Sequence, residues 1–382
     1  MHKEKYLDGL RGLSAFIVVI YHYAVGFYPA LYYGSINNIR THSGIELLIA
    51  KTPLNLIYDG DVSVCIFFIL SGYVLTYKFF KYNDINGITS TAIRRYFRLM
   101  PPVFFSIFLA YILMELRLFY NVQASEITTS DWLKSFYNFE PNALEAFKQG
   151  VWGVFFIQST SYNPTLWTMY YEFYGSFIVL SFVLLIGKNK NRYIFYIVAL
   201  FATINTKFLP FILGLILSDV YNFKQHSINK FNTRYTNFII LSIGMFLASY
   251  PPFMPVENTI YRFIKINFIQ NSSYFYHSIG AFFIMIVFLN SVKLKQIFSG
   301  EMFVFLGKIS FSMYIIHFLV LNSLSSYLFI KLSTFLKYYQ AFLIVLLISL
   351  GIIIYCSYCV YRYVDLNGIK LSKYLYNKFF RV

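Results

Sequence analysis

The segment LDGLRGLSAFIVVIYHY, residues 7–23, carries an arginine and a histidine eleven residues apart in an otherwise apolar run. On a helix, eleven steps make three turns plus about 20°, so Arg11 and His22 share a face about 16 Å apart along the axis. They cannot touch. That spacing suits one elongated ligand, anionic where it meets the guanidinium and reactive where it meets the imidazole. The plain alternative is an interfacial arginine anchor beside an unrelated histidine bonded inside a bundle. A second set is Arg94-Arg95-Tyr96-Phe97-Arg98, followed by Leu99-Met100-Pro101-Pro102. Arg95 and Arg98 share a face if a helix starts there. Planar guanidinium forks suit phosphate, although such clusters also set topology and touch anionic head groups. The third site is LWTMYYEFYGSF at 166–177, where Glu172 is a carboxylate within an aromatic, apolar segment. Its neighbours Trp167 and Tyr174 fit an interfacial aromatic belt. In GKISFSMYIIHFLVL, Ser310, Tyr314 and His317 stand at offsets of four and three. They form one polar stripe, which suits a wet cavity or helix–helix hydrogen bonding. Asp59, Asp61 and Asp219 also fall at or within apolar segments.

The elements that must position these groups follow from composition. Apolar residues fill 58% of the 382 positions and charged residues only 13%, so lipid must cover much of the surface. Apolar runs of roughly spanning length lie near 12–28, 57–77, 100–120, 166–187, 193–206, 208–221, 236–250, 277–292, 302–330 and 339–361. The expected fold is therefore an all-α integral membrane protein of about ten transmembrane helices. The pair on either side of Lys207 is short enough to be a re-entrant hairpin instead. No polar stretch is long enough to be a soluble domain, and 1–382 reads as a single membrane-embedded unit.

The net charge of +16 does not indicate nucleic acid, because the basic residues sit in short runs between apolar segments. With the N-terminus inside, 22 of the 32 Lys and Arg residues fall in cytoplasmic segments, including those at 78–98 and 222–235. The outer loop 121–150 holds Glu126, Asp131, Glu140 and Glu145 against two lysines. Both termini are therefore expected on the cytoplasmic side. The basic start and apolar run lack a small-residue cleavage site, so the first segment reads as a retained span. Cys65, Cys356 and Cys359 all fall in expected spans and read as packing residues. No local zinc pattern, phosphate loop or internal repeat is present.

Several of these segments, taken in order, resemble the acyltransferase 3 family of bacterial membrane proteins. They are LDGLRGL with Arg11 and His22, IFFILSGYVL at 66–75, RRYFRLMPP with Arg95 and Arg98, LWTMYYEFY around Glu172, and LGKISFSMYIIH at 306–317. The resemblance implies an inner-membrane O-acyltransferase that moves an acyl group, commonly acetyl, from acetyl-CoA in the cytoplasm to a surface polysaccharide or its lipid-linked precursor. It implies no bound cofactor, with acetyl-CoA as co-substrate. It carries functional roles onto Arg11, His22, Arg95 and Arg98. Where the family often has a Glu followed by Arg-Pro near the C-terminus, this chain reads Tyr363-Val364-Asp365-Leu366-Asn367. Where it often has adjacent glutamates, Phe173 follows Glu172. Some relatives add a soluble esterase-like domain, which the chain is expected to lack.

The residues and the resemblance together suggest a mechanism. Arg11, Arg95 and Arg98 would hold the phosphates of acetyl-CoA, and His22 would meet the thioester as base or acyl carrier. Glu172 would orient the imidazole if folding brings the two together. Trp167, Tyr174, Ser310, Tyr314 and His317 would line the acceptor cavity. The rival expectation is a carrier or flippase for a lipid-linked glycan, using the same groups without making a bond.

Overall fold

The computed structural model describes residues 4–41, 43–223, 233–257, 259–266 and 269–380, and it contains helices and no strand among them. Most of the expected basic loop at 222–235 lies outside the described residues. Among the described residues, seven helices are long and apolar enough to cross a membrane. They are α1 (Lys5–Phe27), α2 (Gly60–Tyr82), α3 (Ile85–Glu115), the helix that begins its regular turns as α4 (Trp167–Ile186), and three more described below. The next three are shorter: α5 (Arg192–Thr203), α6 (Leu209–Phe223) and α7 (Arg234–Ala248). At 1.5 Å per residue, α5 reaches only about 18 Å, short of a hydrocarbon core of about 30 Å. The remaining long helices are α8 (Ser272–Asn290), α9 (Glu301–Leu332) and α10 (Tyr338–Phe379).

Helix bounds differ from the apolar runs where polar residues continue a helix. α3 starts at Ile85 rather than near residue 100, because Asp84 caps it by accepting from the Gly87 N–H at 2.8 Å. Arg94, Arg95 and Arg98 therefore lie within α3, not at its beginning, and Pro101 and Pro102 are inside it too. α9 and α10 each pass through one widened turn, Leu321–Ser325 and Tyr361–Asp365.

Small residues set the helix contacts, as expected where lipid supplies little hydrophobic drive between helices. α1 lies against α9 so closely that a Cβ on Gly12 would meet the Gly307 nitrogen at 2.5 Å, and one on Gly307 would meet the Asp8 carbonyl oxygen at 2.1 Å. α2 and α6 repeat the arrangement: a Cβ on Gly72 would meet the Phe211 carbonyl oxygen at 2.3 Å, and one on Gly214 that of Ile69 at 2.1 Å. α2 is the central helix, in contact with α1, α3, α4, α6 and α8. Gly60, its first residue, packs under the ring of Tyr21 near the end of α1, so α1 and α2 run antiparallel.

Some polar groups inside the bundle tie helices together. Asp219 on α6 accepts from Arg192 Nε at 2.7 Å and Nη2 at 2.9 Å, and from the Tyr196 hydroxyl at 2.8 Å, which ties α5 to α6. In the loop after α1, burial opposes charge on Glu46. Hydrogen bonds from the Thr41 hydroxyl and from the backbone N–H groups of Arg40 and Thr41 outweigh it, holding the carboxyl below its usual range.

The acidic loop 121–150 is folded. It forms helical segments Asn121–Thr128, Asp131–Lys134 and Ala143–Lys148, and Ser130 Oγ donates to the Val25 carbonyl at 3.1 Å. The loop therefore sits over the C-terminal end of α1.

Candidate functional site

The close α1–α9 contact sets His22 opposite His317. Residues four apart on a helix lie one turn above each other, so each imidazole can reach the carbonyl one turn back. His22 Nδ1 lies 2.9 Å from the Val18 oxygen, and His317 Nδ1 lies 3.0 Å from the Met313 oxygen. His317 Nε2 in turn lies 3.0 Å from His22 Nδ1. One proton assignment satisfies all three contacts. His317 Nδ1–H donates to Met313, leaving Nε2 as an acceptor. His22 Nδ1–H is then shared between the Val18 carbonyl and that acceptor. The remaining ring nitrogen, His22 Nε2, carries a lone pair and has no hydrogen-bond partner among the described residues.

The rest of the shell fixes this geometry. Trp132, from the folded 121–150 loop, stacks on His22 with ring centroids 5.6 Å apart. Tyr23, the next residue along α1, shares a hydrogen bond of 2.6 Å with Ser325, and Ser325 one of 2.7 Å with Ser349 on α10. Ser325 lies in the widened turn of α9, which aims its hydroxyl at α1. Sequence reasoning missed Trp132. Its signal was a tryptophan, one of three in the chain, in a polar loop.

Toward the N-terminal end of α1, the three arginines gather. Arg11 lies within electrostatic reach of Asp8, Arg98 and Glu172, and its Nη1 donates to Asp8 Oδ1 at 3.4 Å. Arg95 is buried and its Nη2 donates to Glu172 Oε1, which also accepts from the Ser71 hydroxyl. Arg95 Nε is enclosed and has no partner. Arg98 is exposed, so the two arginines of α3 point to different surroundings. Asp365, in the widened turn of α10, lies within reach of Arg98. Together, α1, α3, α4 and α10 bring three guanidinium groups and three carboxylates to this end of the bundle, with the Arg98 guanidinium exposed.

Several expected placements differ from the structure. Glu172 does not orient His22; its carboxylate is held by Arg95 and Ser71, while the partner of His22 is His317. Of the groups expected to line an acceptor cavity, only His317 meets His22. The Tyr314 hydroxyl donates to the Thr165 carbonyl at 2.6 Å and accepts from Thr168 Oγ1 at 2.9 Å, which secures the start of α4 to α9. Ser310 Oγ donates to the Gly307 carbonyl of its own helix at 2.9 Å, as a small hydroxyl in an apolar span commonly does. Trp167 carries the ammonium of Lys207 over its ring, 3.6 Å from the centroid, and Tyr174 packs on Tyr170 with centroids 4.8 Å apart.

The arrangement offers an open imidazole nitrogen toward one end of α1 and three guanidinium groups, one of them exposed, toward the other.

Comparison with known proteins agrees in class. A family model described as an acyltransferase domain matches residues 4–362. Acyltransferase clz18 of Cochliobolus lunatus is 23% identical over 399 residues, covering 85% of this chain and 84% of its own. Acyltransferase R4 of a Phoma species is 21% identical over 397 residues, covering 85% of this chain and 84% of its own. O-acetyltransferase PaAT-1 of Phomopsis amygdali is 24% identical over 441 residues, covering 100% of this chain and 86% of its own. No solved structure matches the chain.

Proposed function

The chain belongs to the acyltransferase 3 family and is an acyltransferase, and from that premise we propose that it moves an acetyl group from acetyl-CoA to a hydroxyl of a cell-surface polysaccharide or its lipid-linked precursor. The observation that carries the proposal is the open His22 Nε2, held on the same helix face as Arg11. The name of the Phomopsis relative supports acetyl as the group transferred. The surrounding membrane is proposed as the bacterial cytoplasmic membrane. The three short helices complete ten passes in this reading, with both termini in the cytoplasm.

Acetyl-CoA enters from the arginine end. Arg11, Arg95 and Arg98 bind its phosphates, and Glu172 and Ser71 hold Arg95 in place. The pantetheine arm runs along α1 and brings the thioester toward His22. The acceptor hydroxyl approaches from the end covered by the 121–150 loop. His22 Nε2 takes its proton as the oxygen attacks the thioester carbon. The tetrahedral intermediate then expels the CoA thiolate, which takes the proton back from His22. His317 keeps Nδ1 of His22 as the protonated nitrogen throughout, so that Nε2 stays free for the proton transfer.

His22→Ala, inserted and expressed at the wild-type level, is expected to lower acceptor-dependent release of free CoA in purified membranes by about 10²–10⁴-fold. Release unchanged from wild type removes His22 from the chemistry and ends this reading.

A further inference from the structure

A second group of titratable side chains, two buried and one half-buried, lies where α2 begins. One ring nitrogen of His277 on α8 and one carboxylate oxygen from each of Asp59 and Asp61 lie within 4.8 Å of one another. Asp59 is 5% exposed and His277 1%. Asp59 Oδ1 caps α2 by accepting from the Val62 N–H at 3.0 Å, while its Oδ2 lies 3.7 Å from His277 Nε2.

Asp59 is engaged at both carboxylate oxygens, whereas the Asp61 carboxylate and His277 Nδ1 have no hydrogen bond among the described residues. His277 Nε2–H donates to the Tyr250 carbonyl at 2.7 Å, so the ring's lone pair is on Nδ1. That atom is enclosed and has no hydrogen bond among the described residues. No hydrogen bond reaches the Asp61 carboxylate among the described residues. Lys207 is within electrostatic reach of Asp61 but makes no contact ion pair with it, and its ammonium is seated on Trp167. Two carboxylates against one distant ammonium leave the pocket an excess of negative charge, which is costly in a dehydrated span.

We propose that Asp59, Asp61 and His277 bind one divalent transition-metal ion, of the Zn²⁺ or Mn²⁺ class. Two carboxylate oxygens and one imidazole nitrogen form a donor set suited to those ions. A ligating histidine whose other N–H donates to a backbone carbonyl is the usual supporting arrangement, and the Tyr250 contact supplies it. Of the three ligands, Asp59 also lines a small cavity with Tyr21, Tyr32 and Tyr58. The ion joins the first turn of α2 to α8, beside Tyr21 and so at the His22 end of the bundle. The ligands come from positions 59, 61 and 277, too far apart for any local sequence pattern to reveal them. The site is independent of the acyl-transfer reading.

The test uses the full-length chain in detergent, stripped with chelator and re-equilibrated separately with Zn²⁺ and Mn²⁺. The expected result is one ion per chain by elemental mass spectrometry after gel filtration, with a Tm that rises with ion concentration. Asp61→Asn is the variant of choice, because the native carboxylate makes no hydrogen bond to lose. It is expected to keep the fold and the metal-free Tm but to retain no ion. Failure of the wild-type protein to retain either ion overturns the proposal, as does equal retention by wild type and Asp61→Asn. The first outcome means that the two carboxylates are neutralised without a metal, and the second that the ion is held elsewhere in the protein.

Discussion

In the proposed chemistry, His317 serves His22 as a neutral partner, where many acyl-transfer sites use a carboxylate. A carboxylate would stabilise the imidazolium formed on proton abstraction; an imidazole acceptor fixes the tautomer and adds no charge. That choice fits a span in which an extra buried anion would need its own partner. His317→Phe removes the acceptor but leaves the Val18 carbonyl, so kcat is expected to fall less than in His22→Ala. Because the two residues act as a unit, the double variant His22→Ala/His317→Phe is expected to be no slower than His22→Ala alone. Steady-state CoA release across the four proteins checks this. A double variant slower by the product of the two single effects would mean that the residues act separately. The position of Glu172 follows similar reasoning: a carboxylate next to a buried guanidinium is drawn into that ion pair, and Arg95 takes it before any imidazole can.

At the level of elements, the α1–α9 crossing is what turns two distant histidines into a pair. Their separation depends on Gly12 and Gly307, which let the helix backbones meet without a side chain between them. Gly12→Leu is expected to push α1 off α9, abolish transfer and destabilise the protein by several kcal/mol, since the obstructing atoms are the backbone of Gly307 and Leu306. Yield of folded protein on gel filtration and thermal unfolding measure this. Gly351 on α10 has open space around it, so Gly351→Ala is the matched control and is expected to fold normally. A Gly12→Leu protein as stable and active as the control would show that the crossing tolerates separation. The widened turn at Leu321–Ser325 adds the second constraint, because it directs Ser325 to Tyr23 and so fixes the rotation of α1 that presents His22.

For the whole molecule, the proposed ten-pass arrangement places the arginine cluster inside and the His22 end outside, so a cytoplasmic donor meets an outward-facing acceptor across one helix. Reporter fusions test it: fluorescent-protein fusions at both termini are expected to fluoresce, and a phosphatase inserted in 121–150 to be active. Termini that report on opposite sides would require one of the three short helices to be a hairpin. Composition and periodicity were enough to establish a helical membrane protein and the place of its seven long apolar helices, because the cost of unpaired backbone in lipid allows few alternatives. The order of motifs pointed to acyl transfer, and the eleven-residue spacing on its own put Arg11 and His22 on one face, since both are properties of a single helix. The sequence marked Arg95, Glu172, His317, Asp59 and Asp61 as polar groups at or within apolar segments but could not say which meets which, and His277 went unmarked. Partnership between groups 77 to 295 positions apart depends on how helices cross. Those crossings arise from glycine contacts and loop packing between segments remote in the chain. Only the tertiary structure gave His317 to His22, Glu172 to Arg95, and Trp132 to the ring of His22.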